Sequence, residues 1–172
     1  MVNQPERAPR LARTAYTSWV TRVLAYLIDV VPAVIVFLLG VAIEVGTRQR
    51  LCAATTTPYD IAPYCATGNS YVGLSVFLGS MVVALAYLVW NYGYRQGTTG
   101  SSLGKSVLKF RVVGERTGQP IGFGRSVLRQ LAHAVDAVIC YVGFLFPLWD
   151  ARRQTLADKL VKTVCVPLSG TR

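Results

Sequence analysis

Two long runs of apolar positions dominate the chain. The first, from Trp19 to about Ile43 (WVTRVLAYLIDVVPAVIVFLLGVAI), exceeds the roughly 20 residues that a membrane helix needs. It is too long for a signal-peptide core and carries no convincing small-residue cleavage pattern, so it reads as a retained span. The second, Tyr71 to Trp90 (YVGLSVFLGSMVVALAYLVW), contains no carboxylate or base and has aromatic residues at both ends, as interfacial belts do. Within it Ser75 and Gly79, one helical turn apart, form a small-residue stripe that lets another helix approach closely. Residues 46–70, rich in Thr, Pro, Gly and Asn, read as the loop between the spans.

The pattern then changes. In VLKFRVV (107–113) the residues alternate, with Leu108, Phe110 and Val112 on one side and Lys109 and Arg111 on the other. GERTGQP supplies a turn, and IGF a return strand, for a β-hairpin at the membrane surface. A third apolar stretch runs from Leu128 to Trp149 and is interrupted by His133, Asp136, Gly143 and Pro147. The pattern predicts an all-α membrane protein: two transmembrane helices, a cytoplasmic β-hairpin-like segment, and a third stretch that is re-entrant or broken, with a plain third span as the alternative. Residues 1–16 form a flexible basic tail, 17–166 the membrane domain and 167–172 a C-terminal tail.

Composition fits this picture. Mean hydropathy is +0.41 and 15% of residues are charged, against about a quarter in soluble domains. The net charge of +10 then reads as topology rather than as nucleic-acid affinity. With the third stretch turning back, sixteen of the eighteen Lys and Arg residues fall on one side and only Arg48 and Arg50 on the other. The positive-inside rule makes the first side the cytoplasm, placing the N-terminus of a multi-pass membrane protein there. No basic helix interleaved with aromatics and no zinc-ligand spacing points to nucleic acid.

GTTGSSLGKS (97–106) invites comparison with a phosphate-binding loop, but Gly100 stands one residue too close to Gly104-Lys105, so no nucleotide is expected. The stretch reads as a turn and surface anchor, with Lys105, Lys109 and Arg111 meeting anionic lipid head groups. None of the four cysteines forms a C-x-x-C pair. Cys52 and Cys65 share the inter-span loop and are expected to form a disulfide where that loop meets an oxidising exterior. No metal, cofactor or enzyme constellation is expected.

Charged residues inside an apolar chain carry the candidate chemistry. Asp29 lies near the centre of the first span, where a carboxylate costs at least ~2.5 kcal/mol and must face protein or water. Arg22 is two turns earlier on the same face, too far for a comfortable direct bridge. Arg129, His133, Asp136 and Cys140 share a face of the third stretch, the expected partner of Asp29; His133 and Asp136 could relay protons or form a structural pair. Asp158 caps a helix at Thr155-Leu156-Ala157-Asp158 and is spaced to pair with Lys162.

RVLAYLIDVV, GSSLGKSVLKFRVV, GRSVLRQ and RRQTLADKLVKTVCV together resemble the RDD family of prokaryotic membrane proteins, over about Thr17 to Val166. That family is named for an arginine and two aspartates, which here correspond to Arg22, Asp29 and Asp158. Many relatives have a His before the last Asp, where this chain has Ala157. The resemblance implies membrane transport, with cation/proton exchange suggested for some members. The expected function is movement of an ion or small solute through Asp29 and Arg22, as a homo-oligomer or with other membrane proteins. The alternative is a non-transporting accessory or assembly subunit of a larger complex.

Overall fold

The computed structural model describes residues 12–53, 64–68 and 70–168, so most of both expected tails lies outside the described residues. After a short 3-10 turn at Arg13–Ala15, the chain forms α1 (Trp19–Gly46), β1 (Gln49–Ala53), β2 (Tyr64–Gly68) and α2 (Tyr71–Leu88). A π-helical segment, Val89–Arg95, then leads into α3 (Gln96–Thr99), α4 (Leu103–Val107) and β3 (Phe110–Gly114). The remainder is α5 (Phe123–Val138), α6 (Val142–Leu145), α7 (Leu156–Val161) and β4 (Thr163–Pro167).

Two helical stretches, Arg13–Gly46 and Tyr71–Thr99, are long and apolar enough to cross a membrane. Their apolar side chains are largely exposed, among them Leu27, Leu38, Leu39, Val82 and Leu85. Such surfaces require lipid around them. The third stretch is a bent pair, Phe123–Val138 followed by Val142–Leu148, turning through 108°. Cys140 and Tyr141 take up the bend with left-handed backbone.

The chain divides into two compact units. One comprises residues 31–87. There Gly40 meets Ser80 so closely that an added Cβ would lie 2.0 Å from its hydroxyl, and Phe37 and Phe77 pack at 5.8 Å between ring centres. Gly73 likewise abuts Thr47 and Glu44. The Ser75 and Gly79 stripe is open: Ser75 is exposed, and a Cβ on Gly79 would meet nothing among the described residues. Within the loop region β1 and β2 form an antiparallel hairpin, with Cys52 directly opposite Cys65 in backbone register. The side chains of this cysteine pair lie outside the described residues.

The other unit comprises residues up to 30 together with 88 onward. Its small sheet pairs β3 with β4 in antiparallel register, Val112 opposite Cys165. The alternation over 107–113 is realised, because Phe110 and Val112 are buried with Ala25 and Cys165 while Leu108 packs against them. The return strand expected at IGF is replaced by β4, some 50 residues further on. Tyr16, Val113 and Val164 form a second cluster, and the Thr17 N–H donates to the Cys165 carbonyl at 3.0 Å.

This pairing constrains the membrane path. Strands β3 and β4 share hydrogen bonds, so the segment between them must end on the side where it began. The bent α5–α6 pair therefore returns rather than crossing once, and the α1 entrance lies on that same side.

Candidate functional site

The face of α1 in this unit carries Arg22, Ala25 and Asp29, and each meets a different part of the chain. Asp29 is fully buried. Its Oδ1 accepts hydrogen bonds from Asn91 Nδ2 at 2.8 Å and from the Gly104 N–H at 2.7 Å, while the Ser102 hydroxyl donates to Oδ2 at 2.5 Å. Asn91 Oδ1 in turn accepts from the Leu103 N–H at 2.9 Å. The glycine-rich stretch turns one backbone N–H, that of Gly104, on an acceptor, as phosphate loops do with several. That acceptor is the chain's own Asp29.

Gly104 makes that approach possible. A Cβ there would lie 2.1 Å from the Ala25 carbonyl oxygen, so α4 rests directly on the α1 backbone. Ser102 caps α4 by accepting from the Lys105 N–H. The π-helical segment has a comparable part in bringing Asn91 and Gly93 inward; such widened turns occur often at functional positions.

Lys105 departs from the sequence-based expectation. It is only 8% exposed, so it does not stand on the open surface. Its Nζ donates to Gln96 Oε1 at 2.6 Å and to Ser102 Oγ at 3.2 Å, 5.1 Å from the Tyr92 ring centre. Gln96 continues the network to Ser126 at 2.9 Å. Burial, reinforced by the Arg129 charge and only partly offset by Asp29, pushes the Lys105 ammonium down to about 8. Lys109 is exposed and Arg111 half-buried.

Arg22 and Asp158 meet across 136 residues of sequence. Arg22 Nη1 donates to Asp158 Oδ2 at 2.8 Å, and Arg129 Nε donates to Oδ1 at 2.7 Å. Thr163 Oγ1 adds a bond to Oδ1 at 3.0 Å. The capping box is present too, with the Asp158 N–H donating to Thr155 Oγ1 and the Thr155 N–H to Asp158 Oδ2. Burial opposes charge on Asp158, but the Arg129 and Arg22 guanidinia outweigh it and hold the carboxyl well below the usual carboxylate range. Lys162, the expected partner, is exposed and ends α7 in left-handed backbone. Ala157, at the position where many relatives have His, is fully buried beside Asp158.

The third-stretch face is divided. Arg129 goes to Asp158, while His133 Nδ1 lies 2.7 Å from Asp136 Oδ2 and its ring stacks on Phe144 at 5.2 Å. Asp136 Oδ1 is buried without a hydrogen-bond partner among the described residues, pressed against Gly143. Cys140 leaves the face, because α5 ends at Val138. Asp29 takes Asn91, Ser102 and Gly104 as hydrogen-bond partners. They are small polar or backbone groups, and only the GSSLGKS pattern signalled any of them.

Arg22, Lys105, Arg129 and His133 all border one cavity of about 560 Å³, with Trp19, Tyr26, Tyr92, Tyr141, Phe144 and Leu145 among its other walls. Arg22 Nε and Nη2 are buried and have no hydrogen-bond partner among the described residues.

Two helical stretches long and apolar enough to span, with exposed apolar side chains, define a multi-pass membrane protein. Residues 16–162 match the RDD family, and the chain belongs to it. The chain is 59% identical over 158 residues to a protein named "Proline-rich antigen" from Mycobacterium leprae, an alignment covering 92% of this chain and 64% of that one. It is also 59% identical over 154 residues to a "Proline-rich antigen homolog" from Mycobacterium tuberculosis, with 90% and 64% covered. The chain thus spans about 64% of the length of these relatives. No solved structure matches it.

Proposed function

We infer that the protein moves a small solute or ion across a prokaryotic inner membrane, with its N-terminus in the cytoplasm, using the polar interior around Arg22. The observation that carries this reading is the cavity: charged side chains border an open space inside a domain whose outside is apolar. Intramembrane charges are costly, and they mark solute paths more often than not. Three cations, and no carboxylate among the described residues, line the cavity. That favours an anionic solute over the cation of cation/proton exchange. Asp29 acts at one remove, holding the loop that presents Lys105.

A second reading, an accessory subunit of a larger assembly, is favoured by the exposed Ser75 and Gly79 surface, which leaves room for a second helix. Anionic lipid at Lys109 and Arg111 fits either reading.

Flux in proteoliposomes, scored over a panel of small ions and organic acids, separates them. Asp29→Asn keeps the carbonyl that accepts from Asn91 and Gly104 but loses the charge. The transport reading expects flux to fall at least about tenfold, a loss of ~1.4 kcal/mol, with insertion and particle size unchanged. Parent flux no greater than that of empty liposomes contradicts it, and loss of assembly in the variant supports the subunit reading.

A further inference from the structure

The cavity says more about its occupant than that it is an anion. Arg22 gives one N–H group to Asp158 and keeps Nε and Nη2 buried and unmatched among the described residues. Unmatched guanidinium donors in a dry site are costly and form the fork that a phosphate or carboxylate fills with two parallel hydrogen bonds. Lys105 and Arg129 stand on the same cavity wall. The carboxyls nearby, Asp29 and Asp158 behind these cations and Asp136 behind His133, do not line the cavity, so the side chains that face an occupant are cationic.

The other walls are apolar and aromatic, and Tyr26, Tyr141 and Leu145 are also exposed, so the cavity reaches the outer surface there. Tyr26 lies within α1 beside exposed Leu24, Leu27 and Ile28, so that surface meets lipid rather than water. The volume of about 560 Å³ lies within the roughly 300–1,000 Å³ of ligand pockets. It takes a head group and the first part of a tail, while the rest of the molecule continues into the bilayer.

We propose that this cavity binds an anionic membrane lipid, whose phosphate or carboxylate head sits on Arg22, Lys105 and Arg129 and whose tail leaves past Tyr26 and Tyr141. The site differs from any contact at exposed Lys109 and Arg111. It rests on the proposed function only in taking the cavity as the binding site, and its test requires no flux.

Trp19 on the cavity wall donates its indole N–H to the Phe144 carbonyl at 2.8 Å, which makes it a reporter. Exposed Trp149 reports the surrounding lipid. Two single-tryptophan forms of the full chain, Trp90→Phe/Trp149→Phe and Trp19→Phe/Trp90→Phe, are reconstituted with brominated phosphatidylglycerol or brominated phosphatidylcholine. Quenching of Trp19 is expected to favour the anionic lipid about fivefold more than quenching of Trp149 does, the ratio that ~1 kcal/mol of head-group attraction gives.

Arg22→Gln and Lys105→Met are each expected to bring the Trp19 preference down to that of Trp149. Lys105→Met removes a charge that burial already disfavours, so it answers the question if Arg22→Gln fails to fold. Excess inorganic phosphate should leave the preference unchanged. Equal preference at the two tryptophans, a preference that survives Lys105→Met, or one that inorganic phosphate abolishes overturns the proposal. Lipid selectivity without flux would remove transport and leave the site.

Discussion

At the scale of single residues, Asp158 organises the interior. It is fully buried and joins α1, α5, α7 and β4 through Arg22, Arg129, Thr155 and Thr163. Removing it strands two buried guanidinia, whereas removing Arg22 leaves Arg129 and Asp158 paired. Asp158→Ala should therefore destabilise by about 3–5 kcal/mol and Arg22→Met by distinctly less; thermal unfolding in detergent ranks them, and the reverse order would contradict this assignment. The pH dependence follows from the direction of the shift. The folded carboxyl titrates below the unfolded value of ~3.9, so its contribution is fully present above that pH and is lost as pH falls through the folded value. Unfolding temperatures of the parent and Asp158→Asn should therefore differ by a constant amount from pH 7 to 5 and converge below about 4. Convergence already between pH 7 and 5 would show that the ion pairs do not set this carboxyl.

At the scale of elements, helix contacts depend on where a glycine faces a neighbour. Gly40→Leu should disrupt the packing against Ser80, whereas Gly79→Leu should leave the unit intact, because nothing lies within reach of a Cβ there. Protease resistance of the two variants in detergent tests this, and equal sensitivity would contradict the placement. The sequence made the spans legible because about 20 apolar residues in a row admit few alternatives, and it revealed β3 through the alternation of Leu108, Phe110 and Val112. Local pattern has no access to a partner about 50 residues away, so β4 is not legible in it and IGF reads as the return strand. Lys105 reads as a surface residue because lysine is rarely buried, and nothing nearby in sequence points to Gln96 or Asp29 as its surroundings. Arg22 and Asp158 were both singled out, yet their pairing across 136 residues is set by the tertiary fold alone.

At the scale of the whole molecule, the account rests on a chain that returns. Thr17 bonds to Cys165 and β3 pairs with β4, so the α1 entrance, the sheet and α7 share one side of the membrane. Along the sequence the basic residues sort sixteen to two about the loop between the spans, the distribution that the positive-inside rule associates with a cytoplasmic N-terminus. The most direct test is labelling with a membrane-impermeant maleimide in a Cys52→Ser/Cys65→Ser/Cys140→Ser background that keeps buried Cys165. Single cysteines are placed at exposed Arg116, Ala151 and Gly46. Positions 116 and 151 should react from the same side and position 46 from the opposite one. Reaction of position 151 together with position 46 would mean that the third stretch crosses the membrane, and the pairing of Arg22 with Asp158 could not stand.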